Sequence, residues 1–127
     1  MTREVISTSN APAAIGPYSQ AIRTGSTVYL SGQIPLDPET GHLVPGGFDA
    51  QVHRAFKNLR EVAQAAGGSL GECVKLTLFL TDLSKFPQVN TIMQEYFQAP
   101  FPARSTVEVS GLPREAQFEV EAVMVLG

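Results

Sequence analysis

The segment Phe101-Pro102-Ala103-Arg104-Ser105-Thr106-Val107 predicts a β-strand that begins directly after a proline. Side chains alternate along a strand, so two sets are expected on opposite faces: Ala103, Ser105 and Val107 on one, Arg104 and Thr106 on the other. An arginine in an otherwise small and apolar strand is costly to desolvate unless an anion neutralises it. The function of the protein depends on whether that anion is a carboxylate of this chain or one of a ligand.

Hydrophobic periodicity on both sides of this strand predicts the remaining elements. Strands are expected at Tyr18–Thr24, Thr27–Ser31, Val74–Leu80 and Phe118–Leu126, and helices at about Asp49–Ala66 and Lys85–Phe97. The element order β-β-α-β-α-β-β predicts a single α+β domain over residues 1–127. Its sheet is expected to be mixed or mostly antiparallel, with the two helices packed on one face.

Local patterns define details of these elements. Gly25-Ser26 suits a two-residue type II′ turn, which sets Ile22 opposite Tyr29. Gly67-Gly68 is expected to end the first helix. Residues 1–17 are expected to be irregular, because prolines and a glycine interrupt them. In the third strand, Val74, Leu76, Leu78 and Leu80 are expected on the core face, and Lys75, Thr77 and Phe79 on the other.

The face of the sheet away from the helices is expected to carry Arg104, Thr106, Glu108 and Glu119. Such a face is too polar for the core of a monomer and, elsewhere, too apolar for simple solvation. We therefore expect it to be buried between subunits of a homo-oligomer with closed symmetry.

The composition excludes several classes of protein. No apolar stretch is long enough to span a bilayer, and the N-terminus lacks the apolar block of a signal peptide. The one cysteine, Cys73, excludes an internal disulfide and suits a reducing, cytoplasmic location. The net charge is −3 and the isoelectric point is about 5.3, which argues against nucleic acid as the main partner. No membrane is expected as a partner either, because the chain lacks an apolar span.

Sequence motifs for the common catalytic centres are absent. The chain has no glycine-rich phosphate loop, Cys-x-x-Cys, His-Glu-x-x-His or Gly-x-Ser-x-Gly element. The chain has two histidines, His42 in a turn and His53 on a helix. So small a number argues against a histidine-based triad or a histidine-rich metal site. An isolated Cys73 at the start of a strand is more typical of a structural thiol than of a nucleophile.

Arginine and carboxylates remain as candidates. The planar guanidinium of Arg104 matches a carboxylate bidentately, and a nearby glutamate can orient water or transfer a proton. Two interpretations are open at this point. Arg104 binds the carboxylate of a small organic acid, or it forms an internal ion pair with Glu119 or Glu121 that only fixes the sheet.

Three ordered motifs resemble one known family. The segments are Asn10-Ala11-Pro12-Ala13-Ala14-Ile15-Gly16-Pro17-Tyr18-Ser19-Gln20, Ser31-Gly32-Gln33-Ile34-Pro35 and Phe101-Pro102-Ala103-Arg104-Ser105, with support from Val120-Glu121-Ala122. Together they are similar to the RidA/YjgF family from end to end. The resemblance implies a chorismate-mutase-like subunit and a homotrimer with sites in clefts between subunits. It also implies hydrolysis of 2-imino acids, which pyridoxal-phosphate dehydratases release, to 2-oxo acids and ammonia, without a cofactor or metal.

The resemblance also assigns roles residue by residue. Arg104 matches the arginine that binds the substrate carboxylate, and Glu119 matches the carboxylate associated with the water or the imine nitrogen. Tyr18 matches an aromatic residue that lines the pocket. Gly32 matches a backbone position close to the substrate, and Asn90 matches a helix asparagine near the cleft.

Two positions depart from the family pattern. Thr106 stands where relatives often have a cysteine, which removes a thiol while keeping the backbone contacts of a substrate-binding position. The connection Gln98-Ala99-Pro100 is shorter than in relatives, which is expected to reshape the pocket rim. The resemblance leaves two alternatives to the deaminase: a non-catalytic protein that binds small organic acids, and an endoribonuclease that inhibits translation.

Overall fold

Strands and helices follow one another in a computed structural model that describes residues 2–127. The strands are β1 (Glu4–Ile6), β2 (Ala21–Thr24), β3 (Thr27–Gln33), β4 (Cys73–Leu80), β5 (Ala103–Glu108) and β6 (Phe118–Val125), and the helices are α1 (Phe48–Ala65) and α2 (Phe86–Met93). The six strands form one sheet in the spatial order β1-β2-β3-β6-β4-β5. Strands β4 and β5 are parallel and the other neighbours are antiparallel. The predicted α+β class with a mixed sheet is confirmed.

The predicted hairpin forms with the predicted register. Ile22 lies opposite Tyr29, and Gly25 at the turn has φ 60°, as the first central residue of a type II′ turn requires. Strand β1 is an addition to the predicted order, since residues 1–17 were expected to be irregular. Only three residues of β1 pair with β2, and so short a strand leaves no readable alternation in the sequence.

Helix α1 carries most of the core that covers the sheet. Its apolar stripe is buried, with Val52, Ala55, Phe56, Leu59 and Val62 fully inaccessible to solvent. Each large side chain buried in this way contributes about 1.5–3 kcal/mol. The helix ends as predicted, because Gly67 adopts φ 92° and the N–H of Gly68 donates to the carbonyl of Ala63, as in a Schellman motif.

Two predicted elements differ from the structure in detail. The register of β4 against β6 shifts between Cys73 and Lys75, and this bulge turns Val74 outward, where 48% of it is exposed. The prediction of Val74 on the core face was therefore wrong, and Cys73 is buried instead. Helix α2 ends at Met93 rather than at Phe97, although Phe97 still packs in the core at 3% exposure.

The predicted placement of the polar residues on one sheet face was also wrong. Arg104 pairs with Leu76, whose fully buried side chain faces the helices, so Arg104 lies on the helix side of edge strand β5. Glu119 pairs with Phe79 on the opposite, open face. Thr106 and Glu108 share the side of Arg104, since their partners are Leu78 and Leu80. The prediction failed because the side of the sheet on which Arg104 and Glu119 lie depends on two strand registers, that of β5 against β4 and that of β6 against β4.

In residues 2–127, no helix packs on the open face of the sheet, which exposes large apolar side chains. Tyr29 is 54% exposed, and Val107 and Val125 are 40% and 41% exposed. Within residues 2–127, no helix is long and apolar enough to cross a membrane.

Candidate functional site

The first cleft, here called the Arg104 cleft, lies between β5 and α2. It has a volume of about 500 Å³ and is lined by Asn90, Met93, Gln94, Phe101, Pro102 and Arg104. The exposed guanidinium of Arg104 donates from Nη1 to Oδ1 of Asn90 at 2.8 Å. Its Cζ lies 4.7 Å from the ring centroid of Phe86, a distance at which a cation and an aromatic face attract each other.

Every partner of the Arg104 guanidinium is electrically neutral. Its other polar contact is the sulfur of Met93 at 3.6 Å, and no carboxylate of residues 2–127 lies within 4.0 Å of it. The interpretation of Arg104 as half of an internal pair with Glu119 or Glu121 is therefore wrong for the folded chain. The guanidinium is held in position while its charge and most of its five donors stay available to an anion.

The second cleft, here called the Glu119 cleft, lies on the other side of the molecule between the N-terminal segment and β6. It has a volume of about 360 Å³ and brings together Tyr18, Gly32 and Glu119, three of the predicted site residues. Its walls are largely apolar and include Ile15, Ile34 and Leu36. Five of the six predicted site residues are thus divided between two clefts of one chain, and the sixth, Thr106, lines neither.

Gly32 makes room for the carboxylate of Glu119. The register of β3 against β6 shifts between Leu30 and Gln33, which places Gly32 in a bulge. A Cβ atom at Gly32 would lie 2.8 Å from Oε2 of Glu119 and 2.9 Å from its Cδ. Any other residue at position 32 would therefore displace the carboxylate from the backbone.

Burial and charge both alter the ionisation of Glu119. The half-buried position raises the pKa of the Glu119 carboxyl, first through loss of solvation and second through repulsion by the carboxylate of Glu121. A raised pKa brings a carboxyl group closer to the range in which it can both accept and donate a proton. This is the property that acid–base catalysis requires.

Tyr18 closes one side of the Glu119 cleft. Its side chain is 52% exposed, and its hydroxyl oxygen accepts a weak hydrogen bond from the N–H of Ile15 at 3.4 Å. The segment that carries both residues is fixed by Gln20, a buried side chain that the sequence analysis did not single out. Gln20 Nε2 donates to the carbonyl of Pro12 at 2.8 Å, and Gln20 Oε1 accepts from the N–H of Thr8 at 2.7 Å.

Asn58 is a second residue that the sequence analysis missed. It is fully buried on α1, and its Nδ2 donates to the carbonyls of Leu36 at 2.9 Å and Ile34 at 3.3 Å, which belong to the cleft wall. Its Oδ1 accepts from Nε of Arg54 at 3.0 Å. Removing this amide would leave buried carbonyls unpaired, at a cost of about 1–3 kcal/mol. The position of Asn58 next to the apolar stripe of α1 is the sequence signal that could have identified it.

The remaining candidates have simpler surroundings. Thr106 is half-buried on the same side of β5 as Arg104, two residues further along. Cys73 is buried, and loss of solvation, followed by the charge of Glu72, raises the pKa of its thiol to about 12. Such a thiol is not a nucleophile at neutral pH. Among residues 2–127, no group of three histidine, cysteine, aspartate or glutamate side chains is placed to hold a metal ion.

Comparisons of the sequence with known proteins found matches over nearly the whole chain. The sequence model of a family described as endoribonuclease L-PSP matches residues 8–126. The mouse protein named 2-iminobutanoate/2-iminopropanoate deaminase is 50% identical over 125 residues, which cover 98% of this chain and 93% of the mouse protein.

Two solved structures have the same fold. RidA from the Antarctic bacterium Psychrobacter sp. superposes with a TM-score of 0.94 at 44% identity, covering 97% of this chain and 99% of that one. E. coli TdcF with bound serine gives a TM-score of 0.91 at 40% identity, covering 98% and 99% of the two chains. At these identities and coverages, the likeness extends over the whole domain.

Proposed function

This chain belongs to the endoribonuclease L-PSP family, the RidA/YjgF family, and we propose on that premise that it is a hydrolytic deaminase of 2-imino acids. The products are 2-oxo acids and ammonia. The observation that carries the proposal is the 50% identity, over nearly the whole chain, to a protein named 2-iminobutanoate/2-iminopropanoate deaminase. The guanidinium of Arg104 and the carboxyl of Glu119 supply the groups that this reaction needs.

The active site is composed of residues from two copies of the chain. Arg104 and Glu119 lie on opposite faces of one sheet, and a substrate of a few atoms does not reach both within one subunit. Rotational symmetry that joins the Arg104 cleft of one copy to the Glu119 cleft of the next brings both groups to one substrate. We infer a homotrimer with three such sites, in which the exposed apolar side chains of the open sheet face are covered.

In the composite site, Arg104 anchors the substrate carboxylate with parallel N–H donors. Asn90 and Phe86 hold the guanidinium in place, so little freedom is lost when the anion binds. Tyr18 lines the pocket, and the backbone at Gly32 and Thr106 contacts the substrate. The apolar walls at Ile34 and Leu36 suit the short aliphatic side chains of 2-iminobutanoate and 2-iminopropanoate.

Glu119 transfers the protons of the reaction. Water attacks C2 of the imino acid, forming a C–O bond as the electron pair of the C=N bond moves to nitrogen. Glu119 accepts a proton of that water and gives it to the nitrogen, which yields a carbinolamine. The hydroxyl proton of this intermediate then passes through Glu119 to the nitrogen as the C–N bond breaks, leaving the C=O group of the 2-oxo acid and free ammonia. One water is consumed for each imine hydrolysed, and the raised pKa of Glu119 suits both directions of transfer.

Replacing Arg104 tests the proposal. We expect Arg104→Ala to abolish ammonia release from an imino acid that a dehydratase generates in the assay, with an unchanged circular dichroism spectrum, because the side chain is exposed at an edge strand. Arg23→Ala is the matched control, since Nε of Arg23 donates to the nearby carbonyl of Gly25 and Arg23 lies outside both clefts. Full ammonia release by Arg104→Ala would contradict the proposal.

The second candidate function is binding of small organic acids without catalysis. It is favoured by the relative from E. coli whose structure holds serine, since the same site residues would serve either role. Calorimetry with 2-oxobutanoate, run beside the ammonia assay, distinguishes the two: binding with no ammonia release supports the binding protein alone.

The family description also names an endoribonuclease. The net charge of −3 opposes this function, because RNA binding depends on positive charge. RNA cleavage that survives purification and disappears in Arg104→Ala would revive it.

The single, buried Cys73 is the basis for our inference that the protein works in the reducing cytoplasm.

A further inference from the structure

Two consecutive residues at the edge of the Glu119 cleft have an unfavourable backbone conformation. Arg114 and Glu115 both adopt φ 59°, in the left-handed region that side chains other than those of glycine and asparagine rarely enter. Strain of this kind persists where the surrounding structure enforces it, and it is concentrated at functional sites. Arg114 and Pro113 both line the Glu119 cleft.

Contacts on both sides hold this strained turn in place. Nη1 of Arg114 donates to the carbonyl of Gly41 at 3.2 Å, across 73 residues of sequence. Gly41 is itself fixed, because its N–H donates to the carbonyl of Asp37 at 2.8 Å. On the other side of the turn, Ala116 is buried at 2% exposure. The bond to Gly41 thus ties the side chain of Arg114, a residue of the cleft wall, to the loop that holds Gly41.

The charge of Arg114 is not used by the folded chain. No carboxylate in the described part of the chain lies within 4.0 Å of its guanidinium, although Glu119 lines the same cleft. An anionic substrate that approaches this cleft meets the carboxylates of Glu119 and Glu121 and a protein of net charge −3. A fixed cation at the cleft offsets that repulsion.

We propose that Arg114 is a substrate-attracting residue of this site, whose guanidinium draws the carboxylate of an incoming 2-imino acid into the Glu119 cleft. The inference rests on the proposed deaminase function and adds a second cation to it. Arg104 anchors the carboxylate during the reaction, whereas Arg114 attracts the anion without contacting the reacting atoms. Loss of Arg114 therefore raises KM and leaves kcat unchanged, because it removes binding that the ground state and transition state share.

Arg114→Asn tests this assignment, since asparagine tolerates the left-handed backbone and carries no charge. At an ionic strength of about 0.01 M, where the Debye length is about 30 Å, we expect kcat/KM to fall about threefold to tenfold with kcat unchanged. At about 1 M salt, where the Debye length is about 3 Å, the variant and the parent protein should have the same kcat/KM. Arg114→Lys keeps the positive charge, so its kcat/KM should stay close to that of the parent. Arg23→Gln, which removes one arginine charge away from both clefts, should leave kcat/KM unchanged.

The assignment would be overturned if Arg114→Asn kept the kcat/KM and the salt dependence of the parent, or if it lowered only kcat. It would also be overturned if Arg114→Lys and Arg114→Asn lost kcat/KM equally. Binding of 2-oxobutanoate, measured by calorimetry at both ionic strengths, gives a readout that does not need turnover. If the parent protein binds this acid without releasing ammonia, the deaminase proposal fails. The ratio of dissociation constants between Arg114→Asn and the parent still tests Arg114 in that case.

Discussion

The Arg104 cleft and the Glu119 cleft hold charged groups of opposite sign in opposite surroundings. Arg104 lies exposed on an edge strand, and the neutral groups of Asn90 and Phe86 hold its guanidinium without using its charge. Glu119 lies half-buried on a central strand, where loss of solvation raises its pKa. An exposed, fixed cation is suited to binding an anion, and a partly buried carboxyl is suited to moving protons. In the proposed site, carboxylate binding and acid–base chemistry therefore come from opposite faces of the sheet.

The largest effect that separates the two clefts is expected from Glu119→Gln. If Glu119 moves protons and Arg104 binds, this variant lowers kcat by about 10²- to 10⁴-fold, the usual contribution of a general acid–base group. Its affinity for 2-oxobutanoate, measured by calorimetry, should change little, whereas Arg104→Ala should lose that affinity. A Glu119→Gln variant that keeps its turnover would show that the division of roles is wrong.

A smaller loss is expected from Gly32→Ala. The added methyl group occupies the space of the Glu119 carboxylate, 2.8 Å from Oε2, so the carboxylate must move. Misplacement of a catalytic group by about 1 Å lowers turnover on the order of 100-fold. The thermal midpoint should change little, because the displaced atoms belong to the end of a flexible side chain. Gly111→Ala is the control, since an added Cβ there meets no atom within 4 Å, and equal turnover in both variants would contradict the role of Gly32.

The smallest effect concerns stability. A carboxyl whose pKa is raised by folding favours the folded state below its ordinary pKa of 4.5, and this contribution is lost as the pH rises through the raised value. Glu119→Gln removes that pH dependence, so it should be more stable than the parent at pH 7, by less than about 1 kcal/mol because solvent screens the exposed part of the group. Urea unfolding at pH 7 and at about pH 4 measures the gain, which should disappear at the lower pH. A variant that is less stable at pH 7 would mean that Glu119 is stabilised by its surroundings.

Local features of the fold were predictable from the sequence, and distant ones were not. The turn at Gly25 and the end of α1 at Gly67 depend on a few adjacent residues, and both formed as predicted. The bulge that exposes Val74 depends on how β4 pairs with β6. Whether Arg104 and Glu119 lie on the same face of the sheet depends on two strand registers, the parallel one of β4 with β5 and the antiparallel one of β4 with β6. The alternation of side chains within one strand carries no information about either register.

The same limit applies to the site. Motif resemblance identified Tyr18, Gly32, Asn90 and Arg104, each of which lines one of the two clefts. Asn58 was missed because its partners, Ile34 and Leu36, are more than twenty positions away. Arg114 was missed because the features that distinguish it are a backbone conformation and a contact with Gly41, neither of which leaves a periodic pattern.

Subunit complementation tests the central claim, that Arg104 of one copy and Glu119 of another form one active site. Arg104→Ala and Glu119→Gln proteins, each inactive alone, are unfolded, mixed in equal amounts and refolded together, and ammonia release is measured. Random assembly leaves about one quarter of the interfaces with both native residues, so about a quarter of the parent activity should return. Refolding each variant alone is the control. Mixed oligomers that form and stay inactive would contradict a site shared between subunits.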